Sequence, residues 1–336
     1  MMANSTTLLK WAVATVSLGK HPSHTLERKF AAAAENGFQG VELVHADLLT
    51  HAEANNITSI QAAEEVRALS KKHDIKILSL NPFKNFEGNV RVPLQERLDT
   101  AKEWFDLAVA AGTNIVQMPS QFLDDAITDH DIIIPELRTL ADLAAESSLT
   151  IAYEAVAFAK SNYLWQQGLE IVEAVDRPNF GLCLDSFHIH ARIWGDAEAK
   201  DGKLPFADKN LDESLDEFLR VFPRDRVLYV QLSDGSRFDP PLSKCSPLYN
   251  GLEVRDSRLA WSRSSRPFPL ESPGYFPVAE LAKTWLVDYG WDGWVSMEGF
   301  LLETELEENG PETMAERARR SAQLLGTKIG TEIFHS

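Results

Sequence analysis

The chain has 336 residues, 44% of them hydrophobic and 25% charged, which describes a soluble globular protein that is long for one domain and has ample material for a core. A formal net charge of −17 disfavours nucleic acid as a partner, because binding to a phosphate backbone depends on clustered Lys and Arg. With only two cysteines, one of them (Cys183) inside an apolar run, no disulfide framework is implied.

The N-terminal segment MMANSTTLLKWAVATVSLGK has an apolar stretch too short and too interrupted for a spanning helix, and no small-residue cleavage site after a basic start. It predicts an intracellular, cytoplasmic protein with no membrane partner. Beyond it, runs rich in Val, Ile and Leu alternate with amphipathic stretches, the pattern of a parallel sheet whose strands are joined by helical crossovers. Eight strands are predicted: Trp11–Val16, Gly40–Val44, Ile75–Leu80, Asn114–Met118, Thr150–Glu154, Phe180–Asp185, Val227–Leu232 and Trp294–Glu298. Eight is the number that closes an α/β barrel of the (β/α)8 TIM type. No repeat or Pro/Ser-rich linker divides the chain, so residues 1–336 are expected to form one such domain.

In ERLDTAKEWFDLAVAAG, Leu98, Ala101, Phe105 and Ala108 form one helical stripe, and Gly112 suits a left-handed terminus. Pro135 is expected to open the next helix, with Leu137, Leu140 and Ala144 on its apolar face. ERARRSAQLLG closes the series. Two connections exceed what a crossover needs, Ser186 to Arg226 and, longer, Ser233 to Trp291 between strands seven and eight. Long loops in compact domains are commonly functional. The second carries Arg237, Arg255, Arg258, Arg263 and Arg266 in an otherwise acidic protein, and these could neutralise an anionic substrate at the barrel mouth or, in a solvated loop, pair with surface acids.

Strands five to eight each end in an oxygen-bearing side chain: Glu154, Asp185, Gln231 and Glu298. Strands of a closed parallel barrel converge at their C-terminal ends, so four residues far apart in sequence can surround one cation. Unpaired buried carboxylates are costly and clustered ones repel, a cost that a divalent ion removes. Carboxylates and an amide point to a hard ion, Mg2+ or Mn2+, with Co2+ able to substitute. Ala152, Cys183, Tyr229 and Ser296, two residues before each ligand, should face the same interior. His188, three residues beyond Asp185, is read as a general acid or base, with a further metal ligand or a loop hydrogen bond as the alternatives. His190 is a second candidate. Glu42, which can face the barrel, and His45 and Asp47 after it receive no role.

The strings YEAVAF, GLCLDSFHIH, VQLSDG, RLAWSRSSRPFP and GWVSMEGF, with NPFKNFEG at Asn81–Gly88, resemble those of 3-dehydroshikimate dehydratases, members of the xylose-isomerase-like barrels. The resemblance spans most of the chain. It implies that Glu154, Asp185, Gln231 and Glu298 hold the metal, the amide standing where many relatives have a histidine, and that His188 is the catalytic acid/base. It also implies that Ser262 and Arg266 contact substrate. The segment after YEA departs from the resemblance: it reads VAFAKSN, where a tryptophan and a basic residue are more usual.

The substrate so implied, 3-dehydroshikimate, is a carboxylated cyclohexenone whose loss of water gives protocatechuate in quinate and shikimate catabolism. On this reading an oxygen-ligated cation acts as a Lewis acid while His188 takes a ring proton. Arg266, with Arg258 or Arg263, would hold the carboxylate, and Phe83 or Phe158 would flank the ring. A homo-oligomer is compatible with the sequence. The rival within enzymes is a sugar or ketose isomerase or epimerase, for which Glu154 and Glu298 would shuttle the proton; the arginine-rich loop argues against an uncharged sugar. An apurinic endonuclease is disfavoured by the acidic charge and by too few histidines. A metal-retaining barrel acting as a ligand sensor is opposed by the presence of His188 and Arg266.

Overall fold

The computed structural model describes residues 9–331 and 333. Much of the N-terminal segment read above, residues 1–8, therefore lies outside the described residues. Eight parallel strands close on themselves: β1 Lys10–Ala14, β2 Gly40–Val44, β3 Lys76–Asn81, β4 Ile115–Pro119, β5 Thr150–Glu154, β6 Phe180–Asp185, β7 Val227–Leu232 and β8 Trp294–Met297, with β8 pairing back to β1. The eight predicted strands are all present, with boundaries shifted by no more than two residues. Helices α1 Leu26–Glu35, α2 His45–Asn55, α3 Ser59–His73, α4 Leu94–Ala111, α5 His130–Glu146, α6 Trp165–Val175, α7 Ser186–Ile193, α8 Ala207–Val221, α9 Ser257–Ser264, α10 Val278–Lys283 and α11 Pro311–Ile329 complete the described α-helices.

Side-chain alternation along each strand builds the two layers. Val116 and Met118, Ile151 and Tyr153, Leu182 and Leu184, Val230 and Leu232, and Val295 and Met297 are buried in the large cluster between sheet and helices. Each such side chain contributes about 1.5–3 kcal/mol relative to exposure. The alternate residues Ala152, Cys183 and Tyr229 pack with Ala12 and Leu78 in a separate cluster inside the barrel, and Ser296 is fully buried, as the spacing predicts. The same alternation turns Glu154, Asp185 and Gln231 inward one step higher.

Gly112 ends α4 with φ +84°, and a Cβ there would meet the Arg67 side chain at 3.1 Å, so both backbone and space favour glycine. Pro135 does not open α5. The helix starts five residues earlier because Asp129 accepts a hydrogen bond from Asp131 N and because Ile133 and Ile134 are buried; that burial outweighs the one hydrogen bond a proline forfeits. The connection from Ser233 to Trp291 is not one loop. It contains α9, a strand segment Ser265–Arg266 that pairs antiparallel with Phe300–Leu301, and α10. This two-stranded ribbon places Arg266 directly across from Phe300, two residues beyond Glu298.

Candidate metal centre at the barrel mouth

Asp185 is positioned by the way β6 runs straight into α7. Its Oδ1 accepts from Phe187 N at 2.7 Å, capping the helix, which leaves Oδ2 for the barrel mouth. His188 follows in the first turn, so its Nε2 stands 3.7 Å from Asp185 Oδ2 and 3.6 Å from Glu154 Oε1. Glu154 Oε2 accepts a hydrogen bond from Gln117 Nε2 on β4, whereas Glu154 Oε1 is buried without a hydrogen-bond partner. Arg266 Nη2 pairs with Glu298 Oε2 at 2.7 Å and with Asp185 Oδ2, and its Nε donates to Ser233 Oγ at 2.7 Å. Nη1 has no protein partner among the described residues, and Arg266 lines the cavity above the site.

Gln231 pairs in register with Asp185 on β6. Its amide nitrogen donates to both carboxylate oxygens of Glu42 at 3.0 Å, and its Oε1 accepts from Cys183 Sγ at 3.2 Å, which leaves that oxygen one further acceptor site. Glu42 also accepts from Tyr229 OH at 2.9 Å and Asn81 Nδ2 at 2.8 Å. A register shift between Val41 and Glu42 brings Ser79, instead of Leu78, beside Glu42, at 3.3 Å. Glu42 thus acquires the role the sequence left open: it fixes the orientation of the Gln231 amide.

Burial pushes the Glu154 carboxyl well above its usual range, and the neighbouring charges of Asp185 and Glu298 add to this. Glu298 is raised to about 8 by burial, against the opposing pull of Arg266. Glu154, Asp185 and His188 offer atoms that all lie within 4.8 Å of one another. Crowded, buried carboxylates with one orphaned oxygen are the donor set a hard divalent cation satisfies, so the residues fit such an ion.

His188 sits in this group as a donor. Its Nδ1 accepts from Ala157 N at 3.2 Å, so the neutral ring carries its proton on Nε2. A ligating imidazole uses one nitrogen for the metal and donates from the other; here the other nitrogen accepts. With its proton on Nε2, the neutral ring is set to donate to a substrate oxygen, the acid half of the acid/base role expected for it. Burial lowers its pKa to about 3, with Asp185 opposing. His190 is structural: its Nδ1 donates to Ser186 O at 2.7 Å and its ring stacks on Phe276 at 5.1 Å.

The cavity over the site has a volume of about 1000 Å3. Glu154, Glu298, His188, Ser262, Arg263, Arg266, Phe83 and Phe158 line it. Phe158 meets the His188 ring edge-on at 5.4 Å, and Phe83 lies against Trp104 at 5.3 Å. Arg258 is not brought to the lining; its Nε donates to Ala191 O, because α9 presents it to the end of α7. Arg237 and Arg255 are likewise spent on the carbonyls of Lys200 and Lys244. Only two of the five loop arginines therefore face the mouth. His45 stacks on Trp104 at 4.2 Å in the cavity wall, and Asp47 pairs with the buried Lys29 at 2.9 Å. Gln117, Ser233 and Trp104 are site residues that the sequence reading missed; a glutamine at an inward position of NIVQM was the available signal.

Residues 30–324 match the family described as the xylose isomerase-like TIM barrel. A 3-dehydroshikimate dehydratase of Neurospora crassa is 33% identical over 332 residues, covering 93% of this chain and 91% of that protein. A 3-dehydroshikimate dehydratase of Pseudomonas putida is 33% identical over 258 residues, 77% of this chain but 33% of that longer protein. Among solved structures, the IOLI protein with a bound zinc atom superposes with a TM-score of 0.70 at 19% identity, covering 96% of this chain and 99% of that one, a likeness of fold.

Proposed function

The chain belongs to the xylose isomerase-like TIM barrel family, and from that premise we propose that it is a metal-dependent 3-dehydroshikimate dehydratase, a carbon–oxygen lyase that converts 3-dehydroshikimate to protocatechuate. One observation carries the reading: three buried carboxylates, one with an orphaned oxygen, meet His188 and Arg266 at the floor of a cavity, in a chain one-third identical over nearly its whole length to a dehydratase. The protein is read as one domain over residues 1–336, acting in the cytoplasm on a small molecule. Among the described residues no helix is long and apolar enough to cross a membrane.

Glu154, Asp185, Gln231 and Glu298 would hold the ion, Mg2+ or Mn2+ with Co2+ as a substitute, and Glu42 would keep the Gln231 oxygen turned to it. When bound, the ion supplies Lewis-acid polarisation of the substrate ketone. Loss of water requires a ring proton to be removed and a hydroxyl to leave with one. A cavity-lining carboxylate, Glu154 or Glu298, would take the ring proton on the oxygen that the ion leaves free. The carboxyl so protonated then returns the proton to the departing hydroxyl, so one C–H and one C–O bond break and one water is released. His188 donates from Nε2 to the oxygen on which charge develops, as a neutral imidazole can. Arg266, through its unengaged Nη1, and Ser262 complete the polar wall, and Phe83 and Phe158 bound the space for a flat ring.

Incubating the manganese-supplemented protein with 3-dehydroshikimate, with a panel of ketoses alongside, tests the reading. Ultraviolet absorbance of protocatechuate is the expected result. Turnover of ketoses alone would favour the epimerase reading.

A further inference from the structure

Lys20 follows the short helix at the end of β1, and its backbone N–H donates to Thr304 O at 2.7 Å, which ties it to the segment after the Arg266 ribbon. Its side chain lines the same cavity as the metal centre. Four other lysines and arginines line that cavity, and all are already committed. Lys29 pairs with Asp47 at 2.9 Å, Lys84 with Glu253 at 2.6 Å, Arg263 with the same Glu253 at 3.8 Å, and Arg266 with Asp185 and Glu298. Lys20 forms no ion pair among the described residues. Its Nζ lies instead 5.6 Å from the centre of the Phe300 ring, and the Arg266 guanidinium lies 5.4 Å from that same centre. One aromatic ring therefore joins the uncommitted ammonium to the catalytic floor.

We propose that Lys20 binds the substrate carboxylate, an assignment that rests on the dehydratase reading. The floor of the site cannot do this alone: Arg266 is buried and its charge is balanced by two carboxylates. An anionic group is better placed toward the Lys20 side of the cavity, with the dihydroxy edge of the ring toward the carboxylates. The surroundings favour an anion there. Burial lowers the Lys20 pKa more than any neighbouring charge shifts it, with Glu305 and then Asp47 raising it and Arg263 and Lys29 lowering it. A bound carboxylate offsets the cost of that burial, and the Lys20–Phe300 contact leaves the ammonium open to it. Phe300 holds the ammonium by a cation–π contact without neutralising it.

The experiment compares two ligands that share the same diol and differ only in the carboxylate, protocatechuate and catechol. Their binding to the full-length, manganese-loaded protein is measured by titration, without turnover. Wild type should prefer protocatechuate. Lys20→Met, which keeps the stem on Phe300, should weaken protocatechuate by about tenfold or more and leave catechol unchanged, while Lys20→Arg should keep most of the preference. The inference is overturned if wild type shows no preference, if Lys20→Met weakens both ligands alike, or if it changes neither. Failure to form protocatechuate from 3-dehydroshikimate would count against the dehydratase reading separately, because neither ligand is turned over.

Discussion

Arg266 Nη2 lies 2.7 Å from Glu298 Oε2, and the same nitrogen hydrogen-bonds Asp185, so one guanidinium compensates two carboxylates of the proposed metal centre. Removing one partner of a buried ionic group leaves the rest uncompensated, which costs on the order of 3 kcal/mol. Arg266→Met should lower the melting temperature of the metal-free protein, and manganese should restore more of that loss than it adds to wild type. Metal content should be retained while use of substrate weakens. A variant that loses its metal would place Arg266 in the ligand-holding framework instead.

Glu42 holds Gln231 from behind through two hydrogen bonds. Glu42→Gln replaces one acceptor oxygen with a donor facing other donors, and so should release the Gln231 amide. Manganese affinity is expected to fall by about 10–100-fold, as for other residues that orient a ligand. Titration followed by electron paramagnetic resonance measures this; unchanged affinity would remove Gln231 from the ligand set.

His188 accepts from Ala157 N at Nδ1, which leaves the proton of the neutral ring on Nε2. His188→Asn should retain the ion and slow turnover by about 100-fold or more. Because burial holds the imidazole neutral down to about pH 3, the wild-type profile of kcat/KM should show no limb near the usual histidine value. A limb near pH 6.5 that vanishes in His188→Asn would restore the base half of the acid/base role expected from its place in sequence.

His190 is fully buried, its Nε2 has no partner, and burial lowers its pKa to about 4. The unfolded chain takes up that proton near pH 6.5. A depressed native pKa stabilises the fold above the unfolded value, and this stability is lost as pH falls from about 6.5 toward 4. The loss attributable to His190 is on the order of 3 kcal/mol. Melting temperatures across that window should fall less steeply for His190→Gln than for wild type.

The barrel was legible in the sequence because period-two alternation and strand-end polarity are local signals. Glu154, Asp185 and Glu298 could be placed at one mouth from the convergence of strand ends alone. What was not legible depends on non-local geometry. The arginine-rich segment reads as one loop, yet its helix and ribbon turn Arg258 to the α7 carbonyl and only Arg263 and Arg266 to the cavity. Likewise the proton position on His188 is set by the backbone of Ala157, 31 residues away in sequence. Glu42 shows the opposite case: its strand position was visible, but its meaning required the Gln231 amide beside it.

The most direct test of a metal-dependent dehydratase strips the full-length protein with a chelator, measures its metal content, and assays 3-dehydroshikimate before and after manganese is returned, for wild type and Glu298→Ala. Protocatechuate should form only with the reloaded wild type, and Glu298→Ala should lose metal and activity together. Undiminished product from metal-free protein, or a fully loaded protein that makes none with magnesium, manganese or cobalt, would contradict the account.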